Sequence, residues 1–180
     1  FIPAREERQM DKQTKKHYRE LERQLGYRFR DRALLEAALT HPSFRFESSA
    51  DIRDNQRLEF LGDAALDLVL AERLFGRLPE ADEGVLTSMR SRMASGRALA
   101  RCARELGLGA FLRMGRGEET SGGRKRESNL TDALEAVLGG AYLDGGLKAV
   151  RRIFRRIGLE IPIDTDAPKD LRYADNPQGR

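Results

Sequence analysis

The stretch from Asn55 to Phe75, NQRLEFLGDAALDLVLAERLF, is the feature that most constrains how this chain can fold. Apolar residues recur along it at the spacing of one helical face, at Leu58, Leu61, Ala65, Leu68 and Phe75. This spacing predicts a single long helix. Between residues 64 and 71 only Asp67 interrupts the apolar residues, which predicts that other elements surround this part of the helix on nearly every side. A bundle of helices around this one is therefore expected.

Two carboxylates occur inside this apolar helix. Glu59 and Asp63 are spaced i and i+4, which places them on one face about a turn apart. In a buried setting two carboxylates repel each other and lose hydration, unless a cation or a shared proton compensates. Gly62 lies beside them and lets another segment approach the backbone closely.

A second acidic pair lies in the stretch 127–143, ESNLTDALEAVLGGAYL, which is also predicted to be helical. Asp132 and Glu135 are spaced i and i+3, so they share one face. If the two helices pack side by side, the four carboxylates converge. Ligation by oxygen alone suits Mg²⁺ or Mn²⁺ rather than zinc. Because Mg²⁺ often completes its shell with phosphate oxygens, the pattern indicates a phosphodiester substrate.

Four motifs occur in order along the chain: HPSF at 41–44, RLEFLGDAAL at 57–66, the Glu83-Gly84 segment, and RKRESNLTDALEAVLGGAYLD at 124–144. Together they resemble the ribonuclease III family, over a range from about Tyr18 to Gly158. The resemblance implies an all-α fold, a helical bundle of the ribonuclease III endonuclease-domain type. The absence of strand-like alternation in the sequence agrees with this fold class.

The resemblance also implies a function, that of a divalent-metal-dependent endoribonuclease. Such an enzyme hydrolyses double-stranded RNA to 5′-phosphate and 3′-hydroxyl ends with a short 3′ overhang, in the maturation of ribosomal and messenger RNA. Glu59, Asp132 and Glu135 are the expected ligands of Mg²⁺, for which Mn²⁺ can substitute. Asp63 and Glu135 are the expected catalytic residues, with Asp63 holding a water beside the ion or a second ion.

Gln56 and Glu83 are expected to be accessory residues of the same cleft. The family often has Glu at the position of Gln56, so a neutral amide here is expected to alter cleavage-site preference or rate. Glu83 precedes a predicted helix, where the helix dipole stabilises acidic residues and gives it an ordinary structural explanation as well.

A homodimer is implied by the resemblance, because a two-fold dimer places one acidic cluster over each strand of a duplex. Phe60 lies between Glu59 and Leu61, next to the polar face of the helix. A large aromatic side chain is awkward there in a monomer, so Phe60 is expected to pack against the partner subunit. A core phenylalanine is the alternative.

Basic residues outside the acidic motifs are candidates for contacts with RNA phosphates. Arg97 and Arg101 share one face of a predicted helix. The segment 114–126, MGRGEETSGGRKR, is rich in glycine and is predicted to be a mobile loop that presents Arg124, Lys125 and Arg126. Ordinary surface charge is the alternative for all five residues. The lack of aromatic residues among them favours a duplex over a single strand, which needs stacking platforms.

Composition limits the class of protein. Apolar residues make up 39% and charged residues 34% of the 180, with a net charge of +4, which is typical of a globular domain with a charged surface. No apolar run approaches the roughly 20 residues of a membrane span, so no membrane partner is expected. The single Cys102 excludes an internal disulfide and fits a cytoplasmic location. It is expected to be a packing residue, and His41 a hydrogen-bonded turn residue rather than a metal ligand.

Three segments are expected: a flexible N-terminal arm at 1–16, the endonuclease domain at 17–158, and a linker at 159–180. The final DNPQGR resembles the linker that leads into a double-stranded-RNA-binding domain in longer members of the family. Because the chain also starts at Phe1 rather than Met, it is expected to be a fragment or processed form.

Two other functions are alternatives to the nuclease. A non-catalytic family member, acting as an RNA-binding or ribosome-associated scaffold, is the main alternative, although such a protein is expected to have lost acidic residues that are all present here. A helical bundle whose acids are merely solvated is the other, and it does not explain why both pairs lie in the most apolar helices.

Overall fold

Helices make up nearly all the regular structure in the computed structural model, which describes residues 12–47 and 52–159. In these ranges the only β pairing is a single bridge between Thr40 and Arg113, so the all-α prediction is confirmed. Two 3-10 helices, Leu108–Phe111 and Gly123–Lys125, accompany the α-helices. The α-helices are α1 (Lys12–Leu25), α2 (Arg32–Ala38), α3 (Pro42–Glu47), α4 (Gln56–Arg77), α5 (Glu83–Met93), α6 (Gly96–Glu105), α7 (Arg116–Thr120) and α8 (Glu127–Phe154).

The two helices that carry the acidic pairs, α4 and α8, pack against each other at the centre of the fold, and α2 and α6 also pack on α8. Their facing sides are apolar, because leucines and valines recur there at helical spacing. Each fully buried leucine contributes about 1.5–3 kcal/mol relative to an exposed one. Side chains of this central contact that are buried include Leu66, Leu70, Leu134, Val137 and Leu138.

Two glycines allow α4 and α8 to cross at very short range. A Cβ atom on Gly62 would lie 1.7 Å from the carbonyl oxygen of Glu135, and one on Gly139 would lie 2.0 Å from the carbonyl oxygen of Leu58. Any side chain at either position would therefore push the two backbones apart. The close approach predicted at Gly62 is confirmed, and the segment that approaches is α8.

Helix α8 has a kink at Gly146. Gly146 has φ 64° and ψ −167°, a conformation that glycine adopts readily and other residues avoid. Beyond the kink the helix continues to Phe154, and Ile157 and Leu159 are buried after it. The kink keeps the last part of α8 packed on the core.

Two segments predicted to be flexible contain helices. Helix α1 begins at Lys12, so it includes the last part of the predicted arm at 1–16. The segment 114–126, predicted to be a mobile loop, contains α7 and a 3-10 helix. Its structure depends on contacts with residues outside the segment, which local sequence patterns do not reveal. The rest of the predicted arm and all of the predicted linker after Leu159 lie outside the described residues.

The prediction that other elements surround α4 on nearly every side is wrong. Phe60 is 81%, Leu68 47% and Phe75 75% exposed, so Leu68 and Phe75 are not core residues. We call these three residues the apolar stripe of α4. They share one face because, at about 100° per residue, their side chains lie within about 80° of one another around the helix axis. No other described element of the chain covers this face.

Cys102 is buried in the core, which confirms it as a packing residue. No helix within the described ranges has the length and apolar character needed to cross a lipid bilayer.

Candidate metal centre

Three carboxylates from two helices converge beside the crossing of α4 and α8. Glu59, in the first turn of α4, and Asp132 and Glu135, in the first half of α8, each offer an oxygen atom, and these atoms lie within 4.8 Å of one another. We call this set the carboxylate cluster. All three residues are half-buried. The structure thus brings together the three side chains that the sequence predicted as metal ligands.

Asp63 extends the carboxylate cluster to its rim. It lies one turn after Glu59 on α4 and its side chain is exposed. Its negative charge acts on both Glu59 and Glu135, so it faces the same space. The four predicted carboxylates therefore form one electrostatic unit, with Asp63 on the side open to solvent.

The carboxylate cluster raises the pKa values of its own members. Burial, followed by the charges of Asp63, Glu59, Asp132 and Asp67, raises the pKa of Glu135 to about 8. Burial, followed by the charges of Asp132 and Asp63, also raises the pKa of Glu59. Without a cation, Glu135 therefore holds a proton at neutral pH, because ionising it would place another negative charge in a partly desolvated acidic site.

The donor set fits a hard divalent cation. Carboxylate oxygens are the ligands that Mg²⁺ and Mn²⁺ prefer. A cation would replace the proton that Glu135 otherwise holds and would offset the repulsion among the acids. The raised pKa of Asp132, caused by burial and opposed by the charge of His41, is consistent with the same interpretation.

His41 lies closer to the acids than the sequence indicated. Its Nδ1 lies 2.7 Å from Oγ of Ser43 and accepts from the backbone N–H of Ser43 at 3.2 Å, so it is the hydrogen-bonded turn residue that was predicted. The charge of His41 also reaches Asp132. Local sequence could not reveal this, since His41 and Asp132 are far apart along the chain.

The two predicted accessory residues, Gln56 and Glu83, lie on different helices. Gln56 is exposed at the first residue of α4, about a turn before Glu59. Glu83 lies in the first turn of α5, where its carboxylate accepts a hydrogen bond from the Thr87 hydroxyl at 2.8 Å. Glu83 is therefore not a member of the carboxylate cluster.

The five predicted phosphate contacts fall into two groups. Arg97, Arg101 and Lys125 are exposed. Arg124 instead donates to the carbonyl oxygens of Gly109 and Leu112 at 3.0 and 2.6 Å and to Glu119.

Arg126 is paired with Glu118 and donates to Ser121. Arg124 and Arg126 thus use their donors to hold the segment 114–126 in shape, and a phosphate would have to compete with those bonds.

The predicted interface residue Phe60 is 81% exposed. The alternative, a core phenylalanine, is therefore wrong for the chain as described. With Leu68 and Phe75 it leaves an apolar face of α4 open, next to the helix face that carries Glu59 and Asp63.

Comparison with known sequences gives a consistent picture. A family model described as Ribonuclease-III-like matches residues 31–160. Ribonuclease 3 of Caldanaerobacter subterraneus subsp. tengcongensis is 50% identical over 155 residues, which cover 86% of this chain and 67% of that protein. Ribonuclease 3 of Oleidesulfovibrio alaskensis is 53% identical over 132 residues, or 73% of this chain and 58% of the relative. Ribonuclease 3 of Pseudomonas fluorescens is 53% identical over 165 residues, which cover 89% of this chain and 69% of that protein. The chain thus spans 58 to 69% of the length of these relatives.

Solved structures show the same likeness. The nuclease domain of ribonuclease III from Campylobacter jejuni, in a structure described as showing flexibility in the region involved in dimer formation, is 41% identical with a TM-score of 0.73. The match covers 80% of this chain and 98% of that domain. A second structure of the same domain, at 2.2 Å resolution, is 40% identical with a TM-score of 0.73. The match covers 82% of this chain and 97% of that domain.

Proposed function

Because this chain belongs to the ribonuclease III family, we propose that it is a divalent-metal-dependent endoribonuclease that hydrolyses phosphodiesters of double-stranded RNA. The observation that supports this most directly is the convergence of Glu59, Asp132 and Glu135 within 4.8 Å. Acids from two separate helices gain nothing from meeting in a partly buried site unless a cation, and then a phosphate, offsets their repulsion. The products are 5′-phosphate and 3′-hydroxyl ends with a short 3′ overhang, formed in cytoplasmic processing of ribosomal and messenger RNA.

Glu59, Asp132 and Glu135 would hold Mg²⁺, with Mn²⁺ as a substitute. When bound, the ion lowers the pKa of a water to supply the nucleophile and offsets charge that develops on the phosphate. The protein contributes the fixed positions of the carboxylates, which the crossing of α4 and α8 sets. Asp63, on the solvent side, orients the attacking water by accepting a hydrogen bond at its carboxylate.

The proposed assembly is a homodimer formed through the apolar stripe of α4. A two-fold dimer through this face would bury Phe60, Leu68 and Phe75 of both subunits and supply two carboxylate clusters, one for each strand. The solved Campylobacter jejuni domain, described with a region involved in dimer formation, is consistent with this arrangement.

Cleavage of a defined duplex tests the proposed activity. We expect a labelled duplex RNA of about 30 base pairs to be cut in Mg²⁺ or Mn²⁺ and to stay intact in EDTA. The variant Glu135→Gln should abolish cutting, because it removes a charged ligand.

Glu127→Gln is the matched control for Glu135→Gln. Glu127 is an exposed acid on the same helix, outside the carboxylate cluster and paired with Arg104 at 3.5 Å. The substitution Glu127→Gln should leave the rate of RNA cleavage nearly unchanged. A wild-type chain that binds the duplex and Mg²⁺ but never cuts it would refute the nuclease proposal.

A further inference from the structure

A groove lined by cations runs between α1, the loop that joins α1 to α2, and the last part of α8. It consists of two adjoining cavities of about 590 and 260 Å³ that share Tyr27, Arg28 and Arg152 as walls. We call it the basic groove. None of its cations belongs to the phosphate contacts predicted from the sequence. Those cations are Arg19, Arg23, Arg28, Arg30, Lys148 and Arg152.

The charge of the basic groove is only partly neutralised by the protein itself. Arg23 pairs with Glu20 and Arg30 lies 3.7 Å from Asp144. The one carboxylate in the lining, Glu22, is buried and accepts from the backbone N–H of Phe29 at 2.9 Å, so it points into the fold.

The other four cations have no such partner. Within residues 12–47 and 52–159, no carboxylate lies within 4.0 Å of a charged nitrogen of Arg19, Arg28, Lys148 or Arg152. Concentrated positive charge along a concave surface focuses the field and attracts a polyanion.

A buried carboxylate holds the walls of the basic groove in place. Asp144, on α8, accepts hydrogen bonds from the Tyr27 hydroxyl at 2.5 Å and from the backbone N–H groups of Arg30 and Asp31 at 3.0 and 2.8 Å. These bonds tie the loop between α1 and α2 to α8, so the backbone that carries Arg28 and Arg30 is held beside α8. The backbone of the groove is thus set before any ligand arrives, which lowers part of the entropy cost of binding.

The chemistry of the lining favours phosphates over bases. Guanidinium groups match phosphate oxygens with two parallel hydrogen bonds. The one aromatic side chain of the lining, Tyr27, is not available for stacking. Its ring packs edge-on against Phe29 at 5.2 Å and its hydroxyl is bound by Asp144. A reader of single strands would need exposed stacking platforms.

The basic groove is separate from the carboxylate cluster. Gly145, which lines the groove just before the kink, follows Glu135 by 10 residues on α8, roughly 15 Å along the helix axis. One phosphate cannot touch both sites. We propose that the basic groove is a second binding site for the backbone phosphates of duplex RNA, independent of base sequence and apart from the cleft that cuts. The identity of the ligand as duplex RNA rests on the proposed function.

Binding measured without metal isolates the contribution of this groove. In EDTA the carboxylate cluster repels phosphate, so the anisotropy of a labelled duplex RNA of about 30 base pairs reports on the cationic surfaces. The double variant Arg28→Ala/Arg152→Ala should weaken binding about tenfold or more at low salt. It should also reduce the slope of log affinity against log salt by about one to two, because each lost phosphate contact removes roughly one released counterion.

A matched double variant distinguishes the effect of the groove on RNA binding from the effect of removing positive charge anywhere on the surface. Arg92 on α5 and Arg116 on α7 are also exposed, and Arg92→Ala/Arg116→Ala removes the same charge elsewhere. This control should bind nearly as the wild type does. Both pairs should melt at the wild-type temperature, since all four side chains are exposed and take part in no hydrogen bond within the described ranges.

Two outcomes would overturn the basic groove as an RNA site. One is unchanged duplex binding in Arg28→Ala/Arg152→Ala, and the other is an equal loss of binding in the control pair. If the first variant keeps its duplex affinity but no longer binds vesicles of anionic lipid, the groove is assigned to a membrane surface instead. Failure of the nuclease proposal is distinguishable, because it would show as absent cleavage in Mg²⁺ while metal-free binding still depends on Arg28 and Arg152.

Discussion

At the scale of single residues, Glu135 is where burial and like charge act together most strongly. Its pKa of about 8 has burial as the largest cause, followed by four neighbouring carboxylates, Asp63, Glu59, Asp132 and Asp67. Glu59 and Asp132 are shifted in the same direction but less strongly. The difference follows from position, since Glu135 lies at the helix crossing with acids on several sides.

This shift predicts how the stability of the metal-free protein depends on pH. The folded pKa of about 8 exceeds the ordinary value of 4.5, so between these values the folded chain binds more protons than the unfolded chain. The free energy of unfolding therefore falls as pH rises through this window. Glu135→Gln cannot ionise and should lose this dependence. In EDTA it should melt at a higher temperature than the wild type near pH 8 and at a similar temperature near pH 4.

Thermal melts followed by circular dichroism across this pH range measure the effect. Glu127→Gln again serves as the control, because Glu127 lies outside the carboxylate cluster. A wild-type melting temperature that rises relative to Glu135→Gln between pH 5 and 8 would show that Glu135 does not retain its proton in the folded state.

At the scale of elements, the contact between α4 and α8 decides the geometry of the site. Gly62 and Gly139 face the opposing backbone at distances that no Cβ atom tolerates, 1.7 and 2.0 Å. The short distance between the helices carries Glu59 toward Asp132 and Glu135. If α4 and α8 lay farther apart, the same residues would remain on the same helix faces, but the carboxylates would be too far apart to form the cluster.

Gly62→Ala is therefore expected to destabilise the protein by about 3 kcal/mol or more, because the methyl group overpacks a backbone contact. It should also weaken Mn²⁺ binding, since the carboxylates move apart. Urea denaturation and Mn²⁺ titration measure the two effects.

Gly76→Ala provides the control on the same helix. Nothing lies within 4 Å of a Cβ atom there, so this change should be neutral or stabilise the protein by up to about 1 kcal/mol through helix propensity. If Gly62→Ala behaved like Gly76→Ala, the crossing would not be what sets the site.

Helix α4 begins and ends within two residues of the predicted stretch from Asn55 to Phe75, because its signals are local. Asp31 gives a similarly local signal at the start of α2, where its side chain accepts from the Ala33 N–H at 3.0 Å. The expectation of a loop failed at 114–126, where α7 and a 3-10 helix are held by long-range bonds such as Arg124 to Gly109. Local composition, rich in glycine and charge, could not reveal partners outside the segment.

At the scale of the whole molecule, the apolar stripe of α4 would stay exposed to solvent in a monomer. Three large side chains, Phe60, Leu68 and Phe75, lie exposed on one face of the central helix. Exposed apolar patches of this kind mark surfaces that associate. The proposed two-fold dimer would cover the stripe and complete a site with two carboxylate clusters.

Phe60→Ala/Phe75→Ala should therefore convert a dimer into a monomer, because it removes the two most exposed aromatic side chains of the stripe. Light scattering at micromolar concentration measures the mass directly. The monomer should remain folded, since neither side chain contributes to the core. A dimer of unchanged mass and affinity would place the interface elsewhere on the molecule.

The sequence alone determined which helices carry the chemistry, because helical periodicity and the spacing of Glu59, Asp63, Asp132 and Glu135 are local properties. It also indicated that something approaches Gly62. Only the tertiary structure decided that α8 is what approaches it, that His41 lies near Asp132, and that one face of α4 is open. The physical reason is that burial and charge depend on residues distant in sequence, so an apolar stripe has the same pattern whether it faces the core or a partner.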